Sequence, residues 1–315
     1  RIFFVACGTA YHCGLVGKNI IEKQLRIPVI ADIASEFRYR DPIIGPEDLV
    51  IVISQSGETA DTIAAMKLAQ SRGAKVLAIC NVVGSTIARE ADFVCYTWAG
   101  PEISVCSTKA YVSQLMMTYI LILDIARKRG IFDDARISAA LKELSALPEK
   151  NRELFEHKEK IQQFASRNYG RESVFFIGRG LDYAIAQEAS LKLKEISYIH
   201  SEALAAGELK HGTIALISEG VPVIAVATQS HVYSKVISNI REVKARGAFV
   251  ILLSKDKEIT DKSICDVHIS LPETSDEFAI FESVVIFQLI AYYTSTGKGL
   301  NPDQPRNLAK SVTVE

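Results

Sequence analysis

Asp48-Leu-Val-Ile-Val-Ile-Ser54-Gln55-Ser56-Gly57-Glu58-Thr59-Ala-Asp-Thr62 decides how the chain is read. Its five apolar residues, mostly β-branched, have the length and composition of a strand buried on both faces. They run into a hydroxyl-rich turn with one glycine, after which Thr59 opens the amphipathic stretch Ile63-Ala-Ala-Met-Lys-Leu-Ala. A strand–turn–helix of this kind aims backbone N–H groups and the positive end of a helix dipole at one point. Ser54, Ser56 and Thr59 add hydroxyl donors there, a combination suited to a phosphate monoester. Neither a Walker lysine nor a G-x-G-x-x-G pattern is present, so nothing points to a nucleoside triphosphate or a dinucleotide. An ordinary βα turn with a Ser/Thr cap has the same local signature.

The framework occurs twice. Phe3-Phe4-Val5-Ala6-Cys7-Gly8-Thr9-Ala10-Tyr11 is a strand entering a glycine turn, and Phe175-Phe176-Ile177-Gly178-Arg179-Gly180-Leu181-Asp182-Tyr183 repeats it 172 positions later. Ile53-Ser54-Gln55-Ser56 matches Ala227-Thr228-Gln229-Ser230 at an offset of 174, as Ser71-Arg72-Gly73-Ala74 matches Ala245-Arg246-Gly247-Ala248. Offsets that nearly agree at separate elements indicate a duplicated α/β domain rather than a short repeat array. The second turn has His231 and Val232 where the first has Gly57 and Glu58, so one copy is expected to hold a ligand and the other to serve as scaffold.

Bulk properties narrow the function classes. A chain of 315 residues exceeds what one core usually supports, which makes two domains the default. A net charge of −1 argues against a nucleic-acid surface and against a polybasic membrane anchor. No uninterrupted apolar run approaches the roughly 18 residues of a membrane span, and a cytoplasmic protein is expected. The six cysteines lack C-x-x-C spacing and lie in or beside apolar strands, as reduced and mostly buried thiols do. The six histidines are scattered, so neither a metal nor another cofactor is expected. Arg1 enters directly on strand Ile2–Ala6, an unusual place for a native terminus, and the chain is expected to be part of a longer protein.

Strands are read at Ile2–Ala6, Val29–Ile33, Leu49–Ile53, Lys75–Ile79 and Phe93–Tyr96, alternating with helical segments as in βαβ units. A long helix over Ser107–Lys128 closes a first domain, residues 1–130. Asp134–Arg167, rich in Glu, Lys and Leu, gives one or two connecting helices within 131–170. A second domain, 171–297, has strands at Val174–Ile177, Pro222–Ala227, Phe249–Leu253 and Val267–Ile269, and a closing helix at Phe278–Thr296. The tail, 298–315, carries Lys310 beside Leu308, Ala309, Val312 and Val314, apolar groups able to dock it over a site.

Candidate chemistry lies in the second half. Glu188, Lys192 and Glu195 fall on one face of a helix read over Tyr183–Ile199. Leu204-Ala-Ala-Gly207-Glu-Leu-Lys-His211-Gly follows. An aldose–ketose isomerase needs a base that moves a proton between C1 and C2 and a group that opens the sugar ring, tasks suited to a carboxylate and a histidine. A lysine in a closed site can activate a ketone as a Schiff base. Taken alone, such a triplet is more commonly a solvated ion-pair face, His211 a capping or core histidine, and Lys310 a surface tail lysine.

Five motifs in order shift that balance: Ile53-Ser-Gln-Ser-Gly-Glu-Thr-Ala-Asp-Thr62, Glu102-Ile-Ser-Val-Cys-Ser-Thr-Lys109, Leu191-Lys-Leu-Lys-Glu-Ile-Ser-Tyr-Ile-His200, Gly207-Glu-Leu-Lys-His-Gly212 and the tail Asn301–Glu315. Across essentially the whole chain they resemble the sugar-isomerase half of the glucosamine-6-phosphate synthases, the isomerizing glutamine–fructose-6-phosphate aminotransferases. The resemblance implies an α/β fold of two tandem flavodoxin-like SIS domains, each a parallel β-sheet flanked by helices. It implies that Ser54, Gln55, Ser56 and Thr59 bind the phosphate of fructose 6-phosphate, with Thr9, Ser107 and the Val105 backbone on the sugar. Glu195, with Lys192 beside it, would shuttle the proton, and His211 from the neighbouring subunit of a homodimer would open the ring. Lys310 would form the Schiff base at C2, and the Ala309 backbone would close over the sugar. Glucosamine 6-phosphate would be the product, with ammonia from a glutaminase domain of the same full-length chain. Without that domain the expected reaction is interconversion of fructose 6-phosphate and glucose 6-phosphate. Ala10 stands where the family commonly has serine, and Cys106 where it has alanine.

Two other readings share the phosphate turn. A SIS-fold deaminase or isomerase of another pathway should lack the lysine tail. A non-enzymatic sugar-phosphate sensor should lack the acid–base helix around Glu195.

Overall fold

The computed structural model describes residues 1–313, so Val314, one of the four apolar tail residues, lies outside the described residues. The chain forms two compact units, Arg1–Leu141 with the segment from Asn307 onward, and Lys142–Arg306.

In the first unit, β1 (Ile2–Ala6), β2 (Val29–Ile33), β3 (Leu49–Ser54), β4 (Lys75–Cys80) and β5 (Phe93–Tyr96) form one sheet in the order β2-β1-β3-β4-β5, with every pairing parallel. Parallel neighbours need crossovers, supplied by α1 (Gly8–Ile20), α2 (Ala34–Phe37), α3 (Ala60–Ser71) and α4 (Thr86–Glu90). α5 (Lys109–Lys128) packs beside α1. Both faces are therefore covered, which is why β1 and β3 read as apolar runs rather than alternating ones. The strand order reverses between β1 and β3, so the crevice beyond their C-terminal ends receives the turns that begin at Gly8 and at Ser54.

α6 (Asp134–Glu153) and α7 (Lys158–Asn168) lie where one or two helices were expected, separated by a short 3₁₀ turn at Leu154–His157. The second unit repeats the first. β6 (Ser173–Gly178), β7 (His200–Ala205), β8 (Pro222–Ala227), β9 (Phe249–Ser254) and β10 (Val267–Ser270) stand in the order β10-β9-β8-β6-β7, again all parallel. Counted from each unit's first strand, this is the same topology. α8 (Leu181–Ser197), α9 (Tyr233–Lys244) and α10 (Ala279–Gly297) cover the sheet.

Four details depart from the sequence reading. β7 is not among the expected strands, and His200-Ser-Glu-Ala-Leu-Ala205 has one bulky apolar residue. It is an edge strand tied to α8 by paired serines, Ser190 Oγ donating to Ser201 O at 2.9 Å and Ser201 Oγ to Ser190 O at 2.8 Å. α8 begins at Leu181, two residues early, and ends where Tyr198 turns left-handed. α10 is long and apolar enough in composition to cross a bilayer, contrary to the run-length argument. It is 67% buried inside the unit instead, and holds the buried Glu282, whose carboxyl is pushed up to about 7 by burial. The tail does not behave as one piece: Arg306 N donates to Tyr198 Oη at 2.8 Å within the second unit, while residues from Asn307 belong to the first.

α1 sits unusually close to β1 because Gly14 and Gly17 face Phe4. A Cβ on Gly17 would lie 2.6 Å from the Phe4 ring and 3.1 Å from Thr118 Cγ2. Phe4 is itself buried at 1% exposure and has little room to move. Alanine is worth up to about 1 kcal/mol over glycine within a helix, whereas overpacking costs about 1–3 kcal/mol. We expect Gly17→Ala to lose about 1–2 kcal/mol in urea unfolding; a gain would mean the helix stands off from the sheet.

Candidate active site

Gly57 shapes the first turn. Its φ is +68°, and a Cβ there would fall 2.0 Å from Ser85 Oγ and 2.9 Å from Cys80 Sγ, so no other residue fits. The tight turn folds its hydroxyls together: Ser54 Oγ accepts from Gly57 N at 3.0 Å and lies 3.2 Å from Thr59 Oγ1, while Ser56 Oγ accepts from Glu58 N at 3.2 Å. Thr59 is the N-cap of α3. Ser54 is buried, whereas Gln55, Ser56 and Thr59 are half-buried and open to a ligand. Glu58 turns away; it accepts from Thr86 N at 2.8 Å at the start of α4, which lowers its carboxyl below the ordinary range. Thr9 is half-buried in the first turn of α1, and Ala10 is buried there at 8%.

The tail is fastened at three consecutive residues. Lys310 Nζ donates to Glu102 Oε2 and to Ser104 O, both at 2.7 Å. Ser311 Oγ donates to Ser56 Oγ at 3.2 Å. Val312 O accepts from Ala60 N at 3.2 Å, satisfying a free N–H at the start of α3. The structure thus brings Lys310 together with the turn at Ser54–Thr59, but by polar contacts rather than apolar docking: Leu308 is 46% exposed and Val312 55%. Ala309 is exposed, and Val105 and Ser107 are half-buried on the loop that leads into α5.

Glu102 has no role in the sequence reading beyond its motif, yet it organises that loop. Its Oε1 accepts from Thr108 N at 2.8 Å and Ala110 N at 3.3 Å, at the N-terminus of α5. Burial pulls its carboxyl up, but the Lys310 ammonium and these backbone donors outweigh it and hold the group below the usual carboxylate range.

In the second unit, Glu188, Lys192 and Glu195 are not a solvated face. Lys192 is 2% exposed in its side chain and lies 3.4 Å from Glu188 Oε1 and 2.5 Å from Glu195 Oε2. Glu195 is the accessible member of the triplet at 20%. A buried lysine between two carboxylates fixes their orientation, while the outer one stays partly open to solvent. His211 ends a short 3₁₀ turn, Leu209–His211, and is exposed, so it is neither a core nor a buried capping histidine.

The second turn differs from the first in what its donors hold. Thr228 N and Oγ1 donate to Asp182 at 2.8 and 2.5 Å; Ser230 N and Oγ donate to Asp276, both at 2.8 Å. Lys255 Nζ lies 2.5 Å from Asp276 Oδ1. Two of the unit's own carboxylates occupy the places an anion would take. Burial pushes Asp182 up to about 6 against the pull of the Thr228 donors, while Lys255 and Ser230 hold Asp276 below its ordinary range despite burial. The repeat that aligns Gly8 with Gly180 puts Asp182 opposite Ala10, a signal in the sequence that the loss of Gly57 and Glu58 overshadowed.

A profile of the SIS domain matches residues 1–124 and 169–296, one stretch in each unit. Over 315 residues the chain is 57% identical to the glutamine–fructose-6-phosphate aminotransferase (isomerizing) of Caldanaerobacter subterraneus subsp. tengcongensis, covering all of this chain and 52% of that protein. It thus spans about half the length of the curated relatives it matches. The C-terminal domain of glucosamine-fructose-6-phosphate aminotransferase from Francisella tularensis superposes with a TM-score of 0.92 at 38% identity, over 96% of this chain and 86% of that one. A glucosamine-6-phosphate deaminase from Thermotoga maritima superposes with a TM-score of 0.80 over 99% of this chain and 90% of that one; at 23% identity this likeness concerns the fold alone. The chain belongs to the SIS-domain family and, within it, to the group of the isomerizing glutamine–fructose-6-phosphate aminotransferases, whose C-terminal domain it matches over nearly its whole length.

Proposed function

We propose that the chain binds fructose 6-phosphate and carries out the sugar half of glucosamine 6-phosphate synthesis, using ammonia released by a glutaminase domain of a longer chain. Supplied with sugar alone, it interconverts fructose 6-phosphate and glucose 6-phosphate. The observation that carries this reading is the tail: Ser311 and Val312 clip it to the phosphate turn, so the Lys310 amine and the anion-binding groups share one crevice. Neither a plain isomerase nor a sugar-phosphate sensor needs a lysine delivered in that way.

The phosphate takes the donors of Ser54, Gln55, Ser56 and Thr59, with Thr9, Ser107 and the Val105 backbone directed to the sugar hydroxyls. His211, supplied by the partner in a homodimer, opens the ring. The Lys310 amine adds to the C2 ketone and loss of water gives an iminium; ammonia then adds at C2 and the Lys310 amine leaves, giving the C2 imine of the sugar. Glu195 takes a proton from C1 and returns it to C2, in that imine or, with sugar alone, in the open-chain ketose, and Lys192 keeps its carboxylate aimed. Ala309 closes the tail over the sugar. The protein works as a cytoplasmic homodimer and needs no cofactor for these steps.

Two experiments divide the roles. Glu195→Gln keeps the shape and the bond to Lys192 but removes the base, so we expect kcat for isomerization to fall about 10²–10⁴-fold with KM nearly unchanged. An active variant would assign the proton transfer to another group. Borohydride reduction in the presence of fructose 6-phosphate, followed by peptide mass mapping, is expected to leave the sugar on Lys310. A label on a different lysine, or none on active protein, would overturn the Schiff-base assignment and leave a plain isomerase.

A further inference from the structure

We propose that Glu102 is the counter-ion of Lys310, positioning the tail amine at rest and neutralising the iminium formed at the same nitrogen. This rests on the Schiff-base reading above.

The geometry divides the two oxygens of one carboxylate between two tasks. Oε1 is anchored at the N-terminus of α5 by Thr108 N and Ala110 N, with Thr108 Oγ1 at 3.4 Å. Oε2 faces the tail and lies 2.7 Å from Lys310 Nζ. Glu102 is only 4% exposed, so it is a fixed and poorly hydrated charge rather than a surface partner. With Ser104 O also at 2.7 Å, two of the three N–H directions of an ammonium are used. The third is left for substrate.

The chemistry requires such a partner. Lys310 as ammonium and the C2 ketone become an iminium and water. The new C–N double bond replaces the C–O double bond, and two of the three ammonium hydrogens leave with the ketone oxygen. The positive charge sits on Nζ before and after. A carboxylate at hydrogen-bond distance therefore stabilises both ends of the step without changing its own protonation, and keeps the iminium in the protonated form, in which C2 is electrophilic. The same loop carries Val105 and Ser107, the residues directed to the sugar.

Glu102 also caps α5, and the test must separate that structural task from the charge. Glu102→Gln retains an oxygen for Thr108 N and Ala110 N and removes the charge. Two measurements follow on folded variant, checked by thermal unfolding. First, borohydride trapping of Lys310 with fructose 6-phosphate should fall at least about ten-fold, the low end of measured couplings for close charge pairs, while KM stays within about three-fold. Second, in sugar-free protein, acylation of Lys310 by acetic anhydride should rise at least about five-fold relative to exposed Lys128, because the amine is no longer held. Trapping and acylation at wild-type levels in Glu102→Gln would overturn the proposal. If wild-type protein itself traps no sugar on Lys310, the Schiff-base reading fails. The acylation comparison then still decides whether Glu102 holds the lysine, and unchanged acylation would reject that as well.

Discussion

A turn that aims backbone N–H groups and hydroxyls at one point must give them something to bind, and both units of this chain obey that constraint. An all-parallel sheet collects such turns at the C-terminal ends of its strands, where the order reverses. In the first unit the turn is drawn tight by Gly57, whose position admits no side chain, and its hydroxyls partly satisfy one another while facing an opening. In the second unit the same donors are saturated by Asp182 and Asp276. The duplication therefore yields one turn able to accept an anion and one that already contains its own.

The same constraint explains the tail. An N–H at the start of α3 and a hydroxyl in the turn remain to be satisfied, and the chain returns from its far end to supply Val312 O and Ser311 Oγ. Polar anchoring at residues 310–312 leaves Leu308 and Val312 exposed. A segment held by a few hydrogen bonds, with little apolar burial, opens at low cost.

Much of this was legible in the residues. β1 and β8, buried along their whole length, stand out as apolar runs, and β1, β2, β5 and β8 all match the expected bounds residue for residue. The duplicated glycine turns gave the two-unit architecture. β7 was not legible, since an edge strand held by serine pairs and one flank of backbone bonds needs few apolar residues. The burial of Glu188 and Lys192 was also hidden: an i, i+4 charge pair has the same spacing on a wet face as in a core, and only the packing of α8 beneath α10 distinguishes them. Glu102 went unassigned because its partner lies 208 positions away, beyond the reach of local pattern.

The most direct measurement is a crystal structure of the protein soaked with fructose 6-phosphate. The account requires the phosphate on Ser54, Gln55, Ser56 and Thr59, with C2 within bonding reach of Lys310 Nζ and the Thr228–Ser230 turn still closed by Asp182 and Asp276. A sugar phosphate seated on Thr228–Ser230 with the first turn empty would contradict it.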